Sequence, residues 1–195
     1  MTVPALHSDF DPQQCCLLIC DIQERFRTLL PQFDQISLTA KCLLETAQVL
    51  HLPIVATEQS PSKLGHTVEE LSPLMKDAFI AEKTCFSMLC DDVIQHLHSK
   101  NPSYFIITGQ ETHVCVLQTV YHLRLLFPSA TVFVVSDGVD SQRNIDREVA
   151  LTEFGTLSNV CVCSAQSLLF RLIGDAKHPS FRQISAIAKN LATLK

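Results

Sequence analysis

The segment "ITGQETHVCVLQTV", residues 107–120, changes character halfway along. Its front end completes the apolar run "SYFIITG" (103–109), which has the length and the β-branched, aromatic make-up of a buried strand. Its back end opens "HVCVLQTVYHLRLLF" (113–127), which reads as a helix stopped by Pro128. A buried strand running straight into a helix is half of a βαβ unit, the repeating element of parallel-sheet domains. Cys115 stands at the junction. Cysteine is usually a small buried hydrophobe, but in such domains ligands bind just beyond the carboxyl ends of the strands.

The same alternation extends in both directions. "CCLLIC" (15–20), "PIVAT" (53–57), "FIAEK" (79–83), "TVFVVSD" (131–137) and "NVCVCS" (159–164) read as further strands. Helical patterns lie between them. "ISLTAKCLLETAQVLH" (36–51) sets Ile36, Ala40, Leu43, Leu44 and Ala47 on one side. "HTVEELSPLMKDA" (66–78) reads as a short helix broken by Pro73, and "DDVIQHLHSK" (91–100) opens on acids, as the helix dipole prefers. "NIDREVALTEFG" (144–155) offers Asn144 as N-cap and Gly155 as C′ residue. Two helices, around Ala165–Ile173 and Pro179–Leu194, close the chain. Strands apolar on both faces and alternating with helices predict a doubly wound, three-layer α/β/α fold around a six-stranded, mainly parallel sheet. No repeat or linker interrupts it. The expectation is one domain over residues 1–195, with a core at about 12–175 and a C-terminal helical extension over 176–195.

Composition narrows the function. Apolar residues make up 47% of the 195 and charged residues 18%, a core-forming balance. The longest apolar runs are far too short to cross a bilayer. The N-terminus lacks the basic start and apolar core of a leader and carries Asp9 and Asp11; "LATLK" at the other end is no peroxisomal address. A cytoplasmic protein is expected. Net charge is −5 with no basic cluster, which disfavours nucleic acid as a partner. The nine cysteines are odd in number and include no CxxC pair, so most read as reduced core residues, with one or two reactive. No HExxH, Cys-rich metal pattern, GxGxxG or P-loop is present, so no metal and no cofactor is expected.

The strand ends hold the chemistry. Asp21 follows the first strand, Glu58 and Gln59 the second, Glu82 and Lys83 the third, Cys115 the fourth and Asp137 the fifth. The fold gathers Asp21, Lys83 and Cys115 along one sheet edge. A helix start or a nearby lysine favours the thiolate, the nucleophilic form of cysteine. A carboxylate can carry the proton, and N–H groups at the helix start can hold an oxyanion. Singly, each has a plain reading: a turn cap, a surface lysine, a core cysteine. A Cys–His dyad fits less well, because His113 lies two residues before Cys115 and His122 about 10 Å along the helix.

"LLICDIQERF" (17–26), "VATEQSPSKLG" (55–65), "EKTCFSM" (82–88) and "ITGQETHVCVLQT" (107–119), in this order and spacing, resemble the isochorismatase-like, or cysteine hydrolase, superfamily. "VVSDGVDSQ" (134–142) and "LLFRLIGDAKHPSFRQI" (168–184) look most like its isochorismatase-domain-containing branch. The resemblance implies an Asp–Lys–Cys triad of Asp21 as base, Lys83 as charge stabiliser and Cys115 as nucleophile. It also implies a cis peptide between Gln110 and Glu111, and an oxyanion hole from the backbone N–H groups of Glu111 and Cys115. Gln23, Phe26, Phe86 and His113 are candidates for holding or walling a substrate pocket. The metal motif of nicotinamidases is absent from "TEQSPSKLGH" (57–66). The expected activity is hydrolysis of a small amide-like substrate through a thioester, by a homo-oligomer. The alternatives are a non-catalytic binding or scaffold protein on the same fold and, with less support, a nucleic-acid-acting protein.

Overall fold

A computed structural model describes residues 11–193. Asp9 and the expected helix end at Leu194 lie outside the described residues. Six strands form the sheet: β1 (Cys15–Cys20), β2 (Ile54–Gln59), β3 (Phe79–Lys83), β4 (Tyr104–Gln110), β5 (Thr131–Asp140) and β6 (Val160–Cys163). The helices are α1 (Phe33–Leu50), α2 (Pro61–Leu64), α3 (Asp91–Lys100), α4 (Leu117–Leu126), α5 (Asn144–Phe154), α6 (Ala165–Ile173) and α7 (Phe181–Asn190). The strand order is β3-β2-β1-β4-β5-β6 and every pairing is parallel. This is the doubly wound α/β fold, with its switch point between β1 and β4. No helix among the described residues is long and apolar enough to cross a membrane.

The central strand shows why the sheet is buried on both faces. Side chains alternate along a strand. Cys15, Leu17 and Ile19 therefore join one core with α1, α6 and α7, while Cys16, Leu18 and Cys20 join the other with α3, α4 and α5. Each fully buried leucine or isoleucine contributes about 1.5–3 kcal/mol by leaving water. On α1 the expected face is buried throughout: Ile36, Ala40, Leu43, Leu44 and Ala47. That helix starts three residues before the expected Ile36, with Asp34 in its first turn, and ends where His51 turns left-handed at φ 57°.

Four local expectations are corrected. Residues 66–78 form no α-helix; a 3-10 turn over Ser72–Met75 is what Pro73 starts. Thr67 gives its N–H to Glu58 and Val68 gives its N–H to the Ile22 carbonyl, so the segment straps the end of β1. Arg143 takes the N-cap position of the helix at 144 without a side-chain capping bond, and Asn144 instead bonds Glu148 one turn on. Gly155 keeps a right-handed φ of −63°, so it is no left-handed C′ residue. The β5 strand also runs past its expected end at 137. An irregularity opposite Ile107 and Gly109 carries it to Asp140, and Thr108 Oγ1 donates to the Gly138 carbonyl across it.

Candidate active site

Gly109 lets β1 and β4 close up where the site begins. Its φ is +125°, and a Cβ there would lie 2.0 Å from the Cys20 carbonyl oxygen. The peptide between Gln110 and Glu111 is cis. Thr112–Val116 then forms a π turn, with the Val116 N–H bonded to the Glu111 carbonyl, before α4 begins at Leu117. The expected helix start at His113 is thus replaced by a wider turn. Cys115 sits inside that turn, only 8% exposed. Thr119 Oγ1 donates to the Cys115 carbonyl and accepts from the Met88 N–H, which ties the turn to the loop after β3.

Asp21, directly after β1, is fully buried with a left-handed φ of 51°. Its Oδ1 accepts from Thr57 Oγ1 at 2.7 Å, and its Oδ2 lies 2.7 Å from Lys83 Nζ. Its carbonyl accepts from Gln110 Nε2 at 2.8 Å, joining the ends of β1 and β4. Burial raises Asp21 above the usual carboxylate range, against the pull of Lys83 and Thr57.

Lys83 ends β3, two strands away, and reaches across β2. Besides Asp21, its ammonium meets Gln59 Oε1 at 2.7 Å, the carbonyls of Phe86 and Cys85 at 3.0 and 3.2 Å, and Cys115 Sγ at 3.8 Å. Burial opposes its charge. The Asp21 carboxylate outweighs burial and raises Lys83 above its ordinary value. A lysine so surrounded keeps its proton, so it acts as a fixed cation.

The structure thus brings together Asp21, Lys83 and Cys115 from three strand ends. The other candidates divide. Gln23 is fully buried two residues after Asp21. Its amide clamps the Gln59 backbone, accepting from the N–H at 2.8 Å and donating to the carbonyl at 3.1 Å. Phe26 packs with the apolar cluster beneath α1. Phe86 is 53% exposed, beside the carbonyl that holds Lys83. His113 is half-buried, 3.0 Å from Ser141 Oγ, and the Glu111 carboxylate is held by the Gln142 N–H.

Gln59, Thr57 and Cys20 were not assigned from sequence. Thr57 and Gln59 are polar residues closing an apolar strand, a signal that was readable. Cys20 looks like any other residue of "CCLLIC". Glu58 and His66, at the position of the nicotinamidase motif, pair with each other at 2.8 Å, and Thr67 donates twice more to Glu58. Among the described residues no cluster of three or more His, Cys, Asp or Glu side chains could hold a metal ion.

Comparisons with known proteins identify the family. The family model for the isochorismatase domain matches residues 15–166. Isochorismatase family protein 1A of Dictyostelium discoideum is 36% identical over 186 residues, covering 93% of this chain and 89% of that one. The secreted isochorismatase effector Isc1 of Phytophthora sojae is 38% identical, covering 91% and 86%. Among solved structures, the MAR1 ribonuclease of Caenorhabditis elegans superposes with a TM-score of 0.85 at 33% identity, covering 91% of each chain.

Proposed function

The chain belongs to the isochorismatase family, and we propose that it is a cysteine-dependent hydrolase of a small amide-like substrate. One observation carries the reading: a single buried ammonium, Lys83, touches both the Asp21 carboxylate and the Cys115 sulfur. In the proposed reaction Cys115 gives its proton to Asp21, and its sulfur attacks the acyl carbon. The backbone N–H groups of Glu111 and Cys115 hold the oxyanion. Asp21 returns the proton to the departing amine, leaving a thioester. Asp21 then draws a proton from water, which attacks the thioester and frees the acid and the thiol. Lys83 keeps its charge throughout and steadies the thiolate. No metal or cofactor enters these steps.

The work is done by one domain in a reducing compartment, to which nine cysteines with no disulfide among them are suited; we place it in the cytoplasm. The protein self-associates through the face of α4 and α5, where Tyr121, Leu125, Ile145 and Val149 are exposed.

The test is a screen of small amides with intact-mass detection of an acyl adduct. Wild type is expected to turn over and to show the adduct on Cys115. Undiminished hydrolysis by Cys115→Ala would overturn the reading. A second reading, ribonuclease activity, is favoured by the 33% identity to the C. elegans structure. It meets an acidic chain with a net charge of −5. RNA cleavage that survives repurification and is lost in Asp21→Asn would move the assignment there.

A further inference from the structure

One nucleophilic group in the site takes no part in hydrolysis. Cys20, the last residue of β1, is fully buried and shares the Cys115 side of the sheet. Its Sγ stands against the same buried ion pair as the Cys115 thiol, whose sulfur is 3.8 Å from Lys83 Nζ. The Cys20 Sγ lies 3.7 Å from Asp21 Oδ2 and 3.5 Å from the Gln110 carbonyl oxygen. Burial, then the hydrogen bond to Cys115, push the Cys20 thiol well above its ordinary value, so it stays protonated. A lysine ammonium stands 3.8 Å from the Cys115 sulfur.

A cation-supported thiolate beside a buried neutral thiol is how a sulfenic acid is captured as a disulfide. We propose that Cys115 and Cys20 form a reversible redox pair: hydrogen peroxide oxidises Cys115, and Cys20 resolves the product as a disulfide. The proposal rests on the reading of Cys115 as a thiolate nucleophile. Cys115 gives its proton to Asp21 and its sulfur attacks one peroxide oxygen; the O–O bond breaks, the departing oxygen takes the proton from Asp21 and leaves as water, and the sulfur becomes a sulfenic acid after a two-electron loss. Cys20 then gives its proton to Asp21, and its sulfur attacks that of Cys115. The S–S bond forms as the S–O bond breaks, and the departing oxygen takes the proton from Asp21 and leaves as water. A small dithiol reverses the result by exchange.

The geometry assigns the two roles. Cys115, at 8% exposure, admits a small oxidant, whereas Cys20, at 0%, never meets one. The rival partner is Cys85, exposed and two residues after Lys83, but its thiol turns to the Ser87 carbonyl at 3.4 Å. Joining Cys20 to Cys115 removes the nucleophile while sparing it from irreversible oxidation.

The experiment uses the full chain, reduced and then exposed to hydrogen peroxide, with free thiols alkylated under denaturing conditions and peptides mapped unreduced. A Cys20–Cys115 linked peptide is expected, along with nearly full return of alkylatable Cys115 after dithiothreitol. In Cys20→Ala or Cys20→Ser, the same treatment should leave sulfinic acid, with about tenfold less Cys115 recovered. If neither variant folds, the linked peptide of wild type decides alone. A free Cys20 beside an overoxidised Cys115, or a Cys85–Cys115 link, would overturn the pair. Iodoacetamide labelling of Cys115 before oxidation separates the two claims. Rapid labelling without a Cys20 link leaves the hydrolase reading standing and removes this one; a Cys115 inert to both reagents removes both.

Discussion

Replacing Lys83 with methionine keeps the length of the side chain and deletes one half of an ion pair whose two side chains are 0% and 1% exposed. Breaking a buried pair on one side costs about 3–5 kcal/mol, because the remaining charge is left in the interior. The remaining charge here is Asp21. Burial already raises this carboxyl, and without Lys83 the Thr57 hydroxyl becomes its principal support. A carboxyl raised above its unfolded value contributes stability below that value and loses it as pH rises through the folded one. The variant should therefore lose stability progressively as pH climbs from about 4, the unfolded carboxyl range. The double variant Asp21→Asn/Lys83→Met carries no stranded charge and should regain most of the loss. The thiol behaves differently. The Cys115 sulfur loses the ammonium that stands 3.8 Å from it. Iodoacetamide labelling of Cys115 at neutral pH should fall by about two to three orders of magnitude in single and double variants alike. Denaturant titration across pH and timed peptide mapping read the two effects separately. A single variant that loses under about 1 kcal/mol, or that labels at the wild-type rate, would refute the reasoning.

Other changes probe the supports of the site. Gly109→Ala places a methyl against the Cys20 carbonyl at a backbone conformation that alanine resists; a loss above about 4 kcal/mol is expected, read as insoluble expression or a collapsed Tm. Gln59→Leu removes an acceptor 2.7 Å from Lys83 Nζ and loosens the ammonium beside Cys115, so Cys115 labelling should fall by about tenfold, while the denaturation midpoint moves less than in Lys83→Met. Glu58 lies below the ordinary carboxylate range: burial opposes its charge, but Thr67 and His66 outweigh it. Its stabilising contribution is present above about pH 4.3 and is lost as pH falls through the lower folded value, so Glu58→Gln should flatten the acid limb of a stability–pH curve.

The sheet was legible because its strands are apolar on both faces, and β1, β3, α3 and α6 fall where the patterns placed them. The failures have a common cause. Residues 66–78 have helical spacing, but Glu58 and the Ile22 carbonyl take the N–H groups of Thr67 and Val68, and a side chain from another strand leaves no mark on local periodicity. The extension of β5 to Asp140 depends on a register shift against β4, also invisible within one strand. In the candidate site, Asp21, Lys83 and Cys115 could be named because each follows a strand. That Gln23 braces Gln59 and that Phe26 packs under α1 are facts of tertiary packing, which strand-end reasoning does not reach.

The reach of Lys83 across β2 makes the site a gauge of folding fidelity. Lys83 is carried by β3, the outermost strand on its side, in a register that pairs it with Gln59 and closes with the Ser60 N–H on its own carbonyl. Side chains alternate with a period of two, so a slip of one residue would turn the ammonium to the opposite face. Such a slipped chain keeps the sheet core formed by β1, β4 and β5 and nearly all of its circular dichroism, yet its Cys115 has no cation beside it. During refolding, thiol reactivity at Cys115 should therefore return later than secondary structure, and the gap between the two curves measures how long the edge of the sheet takes to find its place.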